Sequence, residues 1–260
     1  MKIPGGKMRV ISNSGEPFSG RMEAGRLLAQ ELAEYKGKNT VVLGIPRGGM
    51  MIAGVIAREL GSELDIVISR KLRAPMNPEL AIGAVTESGK VFLDDRFADE
   101  MSWQAAYVSD EKAFQLGEIR RRVKLFRAVK PKITLEGRTV IITDDGLATG
   151  STMRAAVWSA RQEHPDKIIA ALPVAPEDSL WKIAGMADET VCLKVPPEFF
   201  GVGQFYRDFS QIEDIEVIEI LKNSAKKSER EPAGATEKQV LKAMKGRVLG
   251  AAELMGKYGR

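Results

Sequence analysis

VIITDDGLATGST, residues 140–152, decides how the rest of the chain is read. Residues 140–143 are apolar or β-branched, the composition of a strand buried on both faces of a parallel sheet. Asp144 and Asp145 follow at its C-terminal end, then a run of small residues, then a helical pattern from Met153. In an open α/β sheet, ligands bind outside the carboxyl ends of the strands, where this loop falls. Its glycines admit a ligand to the backbone, and its amides together with the helix N-terminus make an anion site. Adjacent carboxylates repel and are costly to desolvate unless donors or a cation compensate. Sugar hydroxyls or a magnesium ion would compensate, which points to a phosphorylated sugar. The loop is not a Walker A motif, because Ser151 follows Gly150 where that motif needs lysine. The plain alternative is a helix N-cap beside two solvated acids.

The stretch closely resembles the phosphoribosyl-pyrophosphate (PRPP) signature of type I phosphoribosyltransferases: apolar strand, two acids, and a Thr-Gly-x-Thr phosphate loop. The resemblance implies that Asp144 and Asp145 hold the ribose hydroxyls and share a Mg²⁺ ion. It implies that Leu147, Ala148, Thr149, Gly150, Ser151 and Thr152 hold the 5′-phosphate. The fold implied is α/β, the three-layer, parallel-sheet type I phosphoribosyltransferase fold with a small hood region. Alternating strand and helix patterns through the chain agree with such a sheet.

A second strand–loop–helix unit precedes it. Strand 41–45 runs into Pro46-Arg47-Gly48-Gly49 and a helix over 50–60. Arginine clamps phosphate oxygens bidentately, and the glycines bring phosphate to the backbone. Beside the later signature, Arg47, Gly48 and Gly49 look like the family's pyrophosphate loop. A strand over 64–69 ends at Arg70-Lys71, and residues 72–80, with Pro75, Asn77 and Pro78, read as a mobile loop. By resemblance, Arg70 and Lys71 are catalytic groups of a basic lid closing over pyrophosphate; an exposed basic turn is the alternative. Strands 81–86 and 90–93 flank a hairpin turn, and a helix spans 99–127. Helices over 153–161 and 179–186 alternate with strands over 167–173 and 190–195.

The 260 residues are 44% hydrophobic, ordinary for one α/β domain with additions. No apolar run approaches the length of a membrane span, and the chain's start lacks the apolar core of a secretory signal. The single cysteine, Cys192, excludes an internal disulfide, so a cytoplasmic protein is expected. The net charge of +4 is uneven: residues 222–260 hold ten Lys or Arg against four Glu, and the preceding 221 residues are slightly acidic. The main domain therefore shows no electrostatic footprint for nucleic acid. The organisation expected is a loose arm over 1–17, a catalytic domain with hood over 18–221, a linker over 222–234, and a basic amphipathic helix over 235–258. That last C-terminal helical extension packs on its own domain or on another subunit, or binds an acidic partner or membrane surface.

Residues 196–210, PPEFFGVGQFYRDFS, carry five aromatics. They make a packed cap or a wall for a flat ring, and Phe199, Phe200, Phe205 and Tyr206 are the candidate acceptor-binding residues. Here the chain resembles a little-characterised branch of the family through IPRGG, RKL, NPELAIGA, DDGLATG and GQFYRDF. The function implied is Mg²⁺-dependent transfer of 5-phosphoribosyl from PRPP to a nitrogen nucleophile, by a homodimer, within nucleotide metabolism. Ala148 stands where hypoxanthine-guanine enzymes place an aspartate near the base, which argues against a 6-oxopurine acceptor. The rival reading is a PRPP-sensing regulator with little transferase activity.

Overall fold

A computed structural model describes residues 6–75, 77–93 and 105–226. Its centre is a six-stranded, wholly parallel sheet of β1 (Lys7–Ser12), β2 (Thr40–Gly44), β3 (Glu63–Ile66), β7 (Thr139–Thr143), β8 (Lys167–Val174) and β9 (Glu189–Lys194). The order across the sheet is β1-β9-β8-β7-β2-β3. A separate antiparallel sheet joins β4 (Ser69–Ala74), β5 (Asn77–Thr86) and β6 (Val91–Leu93).

Strand periodicity divides the core in two. Val42, Ile141, Ile169 and Val191 face one side, under α1 (Arg21–Glu31), α2 (Gly49–Leu60), α3 (Ala105–Arg127) and α6 (Asp214–Lys226). Val41, Leu43, Val140, Ile142, Ile168 and Leu172 face the other, under α4 (Ser151–Arg161) and α5 (Glu177–Ala184). Side chains alternate at period two, so a strand buried on both faces must be apolar throughout. β7 meets that demand: Val140, Ile141 and Ile142 are all fully buried. This is the three-layer α/β arrangement expected.

The structure differs from the sequence reading in several places. Residues 7–12 of the expected loose arm form β1, an edge strand paired in parallel with β9. Its half-exposed pattern is too weak a periodic signal to mark a strand. The expected strand over 64–69 is two elements, β3 ending at Ile66 and β4 starting at Ser69. Most of the expected loop over 72–80 is β-structure, with Leu72 buried in β4. Pro78 lies where the β4–β5 register shifts, a position at which a strand tolerates proline. The start of the helix expected over 99–127 lies partly outside the described residues; the described part begins at Ala105. α6 extends through Lys226, into the expected linker. The rest of that linker and the helix expected over 235–258 lie outside the described residues.

Candidate functional site

β2 and β7 are neighbours in register, with Gly44 opposite Thr143, so the loops that follow them leave the sheet side by side. The first loop carries Arg47, Gly48 and Gly49 into α2; the second carries Asp144 to Gly150 into α4. The contact between them explains the glycine pair. A Cβ on Gly48 would lie 2.0 Å from Asp145 Oδ2, and one on Gly49 would lie 2.8 Å from Asp144 Cα. Any larger residue would push the loop away from the two acids. The Pro46–Arg47 peptide is cis.

Asp144 Oδ1 accepts the Asp145 amide at 2.9 Å. Burial, and then the neighbouring charge of Asp145, push the Asp144 carboxyl well above the ordinary aspartate range. Asp145 is held by α1: Arg21 Nε and Nη2 donate to its Oδ2 at 3.1 and 2.9 Å. Tyr206 donates its hydroxyl to the Asp145 carbonyl at 2.6 Å. Burial, then the nearby Asp145 charge, raise the Tyr206 phenol well above its usual value, so it stays a donor.

In the phosphate loop the backbone turns at Gly150, whose φ of 79° favours glycine, and α4 begins at the next residue. Ser179 Oγ donates to the Ala148 carbonyl at 2.7 Å, pinning the loop to α5. Leu147 is a buried anchor whose amide donates to the Val174 carbonyl at 2.9 Å, so that amide is not available to a phosphate. Ala148, Thr149, Ser151 and Thr152 remain open to solvent in varying degree, beside the α4 N-terminus. Thr149 and Ser151 hydroxyls pair with one another at 3.2 Å.

The remaining candidates are placed differently. Arg47 is half-buried and pairs with Glu213 at 3.1 Å. Arg70 and Lys71 lie in β4, and Arg70 Nε donates to Gln115 of α3 at 2.8 Å. Among the described residues, no hydrogen bond or ion pair joins Arg70 to Asp144, Asp145 or the 47–49 loop. Of the four aromatic candidates, Phe205 is buried and meets Phe199 in a tilted contact at 5.3 Å, while Tyr206 is buried against Asp145. Phe200 is 90% exposed. Arg21 is the site residue that sequence reading missed. No local motif marks it, because its partner lies 124 positions away.

Two carboxylates, one destabilised by its neighbour, suit a cation shared with ligand oxygens rather than an all-protein cage. Among the described residues no cluster of three or more His, Cys, Asp or Glu side chains is poised for a metal. The pair of carboxylates fits a Mg²⁺ ion that keeps water or ligand oxygens in its shell.

A small-residue loop at a helix N-terminus, two acids at a central strand's end and a glycine loop against them are the arrangement expected of the phosphoribosyltransferase family. The chain belongs to that family: residues 20–209 match the phosphoribosyl transferase domain. It is 45% identical over 204 residues to a Mycobacterium tuberculosis H37Rv protein named "Putative phosphoribosyl transferase"; the match covers 78% of this chain. The chain spans only 46% of that relative's length. It is also similar to the crystal structure of TT1426 from Thermus thermophilus, with 42% identity and a TM-score of 0.73. That likeness covers 80% of this chain and 98% of the other. A ribose-phosphate pyrophosphokinase of Sulfurisphaera tokodaii is 30% identical over 142 residues, covering 50% of this chain and 46% of that one.

Proposed function

We propose that the site binds PRPP with Mg²⁺ and transfers its 5-phosphoribosyl group to a nitrogen nucleophile, releasing pyrophosphate. The observation that carries this reading is the contact of Gly48 and Gly49 with Asp145 and Asp144, beside the loop that opens α4. It brings the two carboxylates against the Gly48–Gly49 loop while they adjoin the loop that opens α4, which supports an order of 5′-phosphate, ribose and pyrophosphate. Asp144 and Asp145 accept the ribose hydroxyls. Ala148 to Thr152 hold the 5′-phosphate through amides and hydroxyls. Gly48 and Gly49 present backbone to the pyrophosphate, and Arg47 leaves its exposed partner Glu213 to pair with it. An exposed ion pair is worth at most about 1 kcal/mol, so the exchange is easy.

In the reaction the C1′–O bond to pyrophosphate breaks, the C1′–N bond forms, and the acceptor nitrogen gives up its proton. Positive charge grows on the ribose as the leaving group departs, and the adjacent carboxylates stabilise it. Bound Mg²⁺ would neutralise pyrophosphate, with Asp144 and Asp145 as its protein-side ligands. Arg70 and Lys71 act on pyrophosphate in this reading only after Arg70 leaves Gln115. Phe200, the one exposed ring of the four candidates, is the stacking partner for the acceptor. Assembly as a homodimer rests on the family resemblance alone.

The test is pyrophosphate release from PRPP and Mg²⁺ with a panel of nitrogen heterocycles. Release that depends on one acceptor supports the enzyme. Binding of PRPP with no release across the panel would instead favour a sensor.

A further inference from the structure

One guanidinium, that of Arg21, lies where three parts of this site meet. Its side chain is only 7% exposed. Nε and Nη2 both fall on Asp145 Oδ2, while Nη1 donates to the Ser210 carbonyl at 2.9 Å. Its face lies 4.1 Å from the Phe209 ring centroid and 5.9 Å from that of Tyr206, and those two rings stack at 5.1 Å. The Nε atom is also 3.0 Å from where a Cβ of Gly48 would stand. α1 thus reaches the ribose acid, the pyrophosphate loop and the aromatic segment over 205–210 through one side chain.

The pattern of donors is informative. Both Arg21 donors take the same carboxylate oxygen, and Asp145 Oδ1 has no side-chain or backbone partner among the described residues. A carboxylate fixed by one oxygen has its rotation set, and the other oxygen is aimed. The Tyr206 hydroxyl fixes the backbone of the same residue from the aromatic segment. A lysine could neutralise the charge, but it lacks the planar fork that fixes direction and the flat face that stacks on Phe209.

Resting on the phosphoribosyl reading, we infer that Arg21 is a positioning residue: it aims Asp145 Oδ1 at a ribose hydroxyl and makes that aim depend on the docking of the segment over 205–210. Arg21 acts through Asp145 and does not itself touch the ligand. Disturbing the segment over 205–210 therefore disturbs ribose binding.

The probes are PRPP, ribose 5-phosphate and inorganic pyrophosphate, each titrated with Mg²⁺ into full-length wild type, Arg21→Gln and Arg21→Lys. Charge-assisted hydrogen bonds set the scale of the effect. Arg21→Gln should weaken PRPP and ribose 5-phosphate by about tenfold or more and weaken pyrophosphate clearly less, since Asp145 meets pyrophosphate only through the shared Mg²⁺. Arg21→Lys should recover thermal stability but not the lost sugar affinity. Equal weakening of all three ligands would show a merely structural role, and unchanged sugar affinity in a folded Arg21→Gln would overturn the inference. A ligand-free measurement separates this from the parent reading. Hydrogen exchange over 205–211 should accelerate in both Arg21→Gln and Asp145→Asn, and unchanged exchange in both would contradict the clamp. If wild type binds none of the three probes, the PRPP reading and the aiming of ribose fall together, while faster exchange would still uphold the clamp.

Discussion

At the scale of single residues, Asp144 and Asp145 carry different burdens. Asp145 is paired by Arg21, whereas Asp144 has only a backbone amide and a like-charged neighbour. Asp144→Asn removes a buried charge that destabilises the ligand-free protein, and Asp145→Asn breaks an established ion pair. Each substitution should weaken PRPP by about ten- to a hundredfold, the worth of a charged hydrogen bond of roughly 1.5–3 kcal/mol. Melting temperature should hold or rise for Asp144→Asn and fall for Asp145→Asn; the reverse ranking in differential scanning calorimetry would contradict this division. Gly48→Ala tests the contact between the loops. The added methyl cannot coexist with Asp145 Oδ2 at 2.0 Å, so PRPP affinity should fall by about tenfold or more while circular dichroism stays that of wild type. An alanine variant with normal affinity would show that the loops need not touch. The acids and glycines were legible in the sequence because each sits at a strand end and follows a local pattern. Arg21 was not, since its meaning depends on a contact made only after α1 packs beside β7's loop.

Among the elements, β4 and α3 form the least expected pairing. Arg73 donates from its backbone and side chain to Glu111 at 2.7–3.1 Å, and Gln115 bridges Glu111 to Arg70. Burial would raise the Glu111 carboxyl, but the hydrogen bonds from Arg73 and Gln115 outweigh it and lower the value. A carboxyl lowered on folding stabilises the fold above its ordinary value of 4.5 and loses that contribution as pH falls through the lowered one. Glu111→Gln should therefore cost on the order of 1 kcal/mol at neutral pH, modest because Arg73 is partly exposed. The gap to wild type should narrow in urea denaturation below about pH 4. A gap independent of pH would mean that Glu111 acts by shape alone. The sequence reading made this region a loop because Pro75, Asn77 and Pro78 are turn residues. Its strands are specified instead by Leu72 and Ile82, buried against distant helices. Long-range packing of this kind leaves little local signal. β1 was missed for the same reason, since it borrows its hydrogen bonds from β9.

For the whole molecule, every group assigned to PRPP lies between Arg21 and Ser210, within or beside the matched family domain. Truncation after Lys226 should therefore leave PRPP affinity within a few-fold in calorimetric titration; a hundredfold loss in a folded product would give residues 227–260 a part in the site. Doubly apolar strands and intervening helices made the parallel sheet readable from the sequence alone, as was the hairpin of β5 and β6, whereas β4 and the parking of Arg70 on α3 depended on tertiary contacts. On this reading one molecule of PRPP lies across the adjoining β2 and β7 loops. A crystal structure with PRPP and Mg²⁺ tests it most directly. Ribose hydroxyls on Asp144 and Asp145, 5′-phosphate on the 148–152 loop and pyrophosphate on Gly48 and Gly49 are the predicted result. PRPP bound with its ribose away from both aspartates would contradict it.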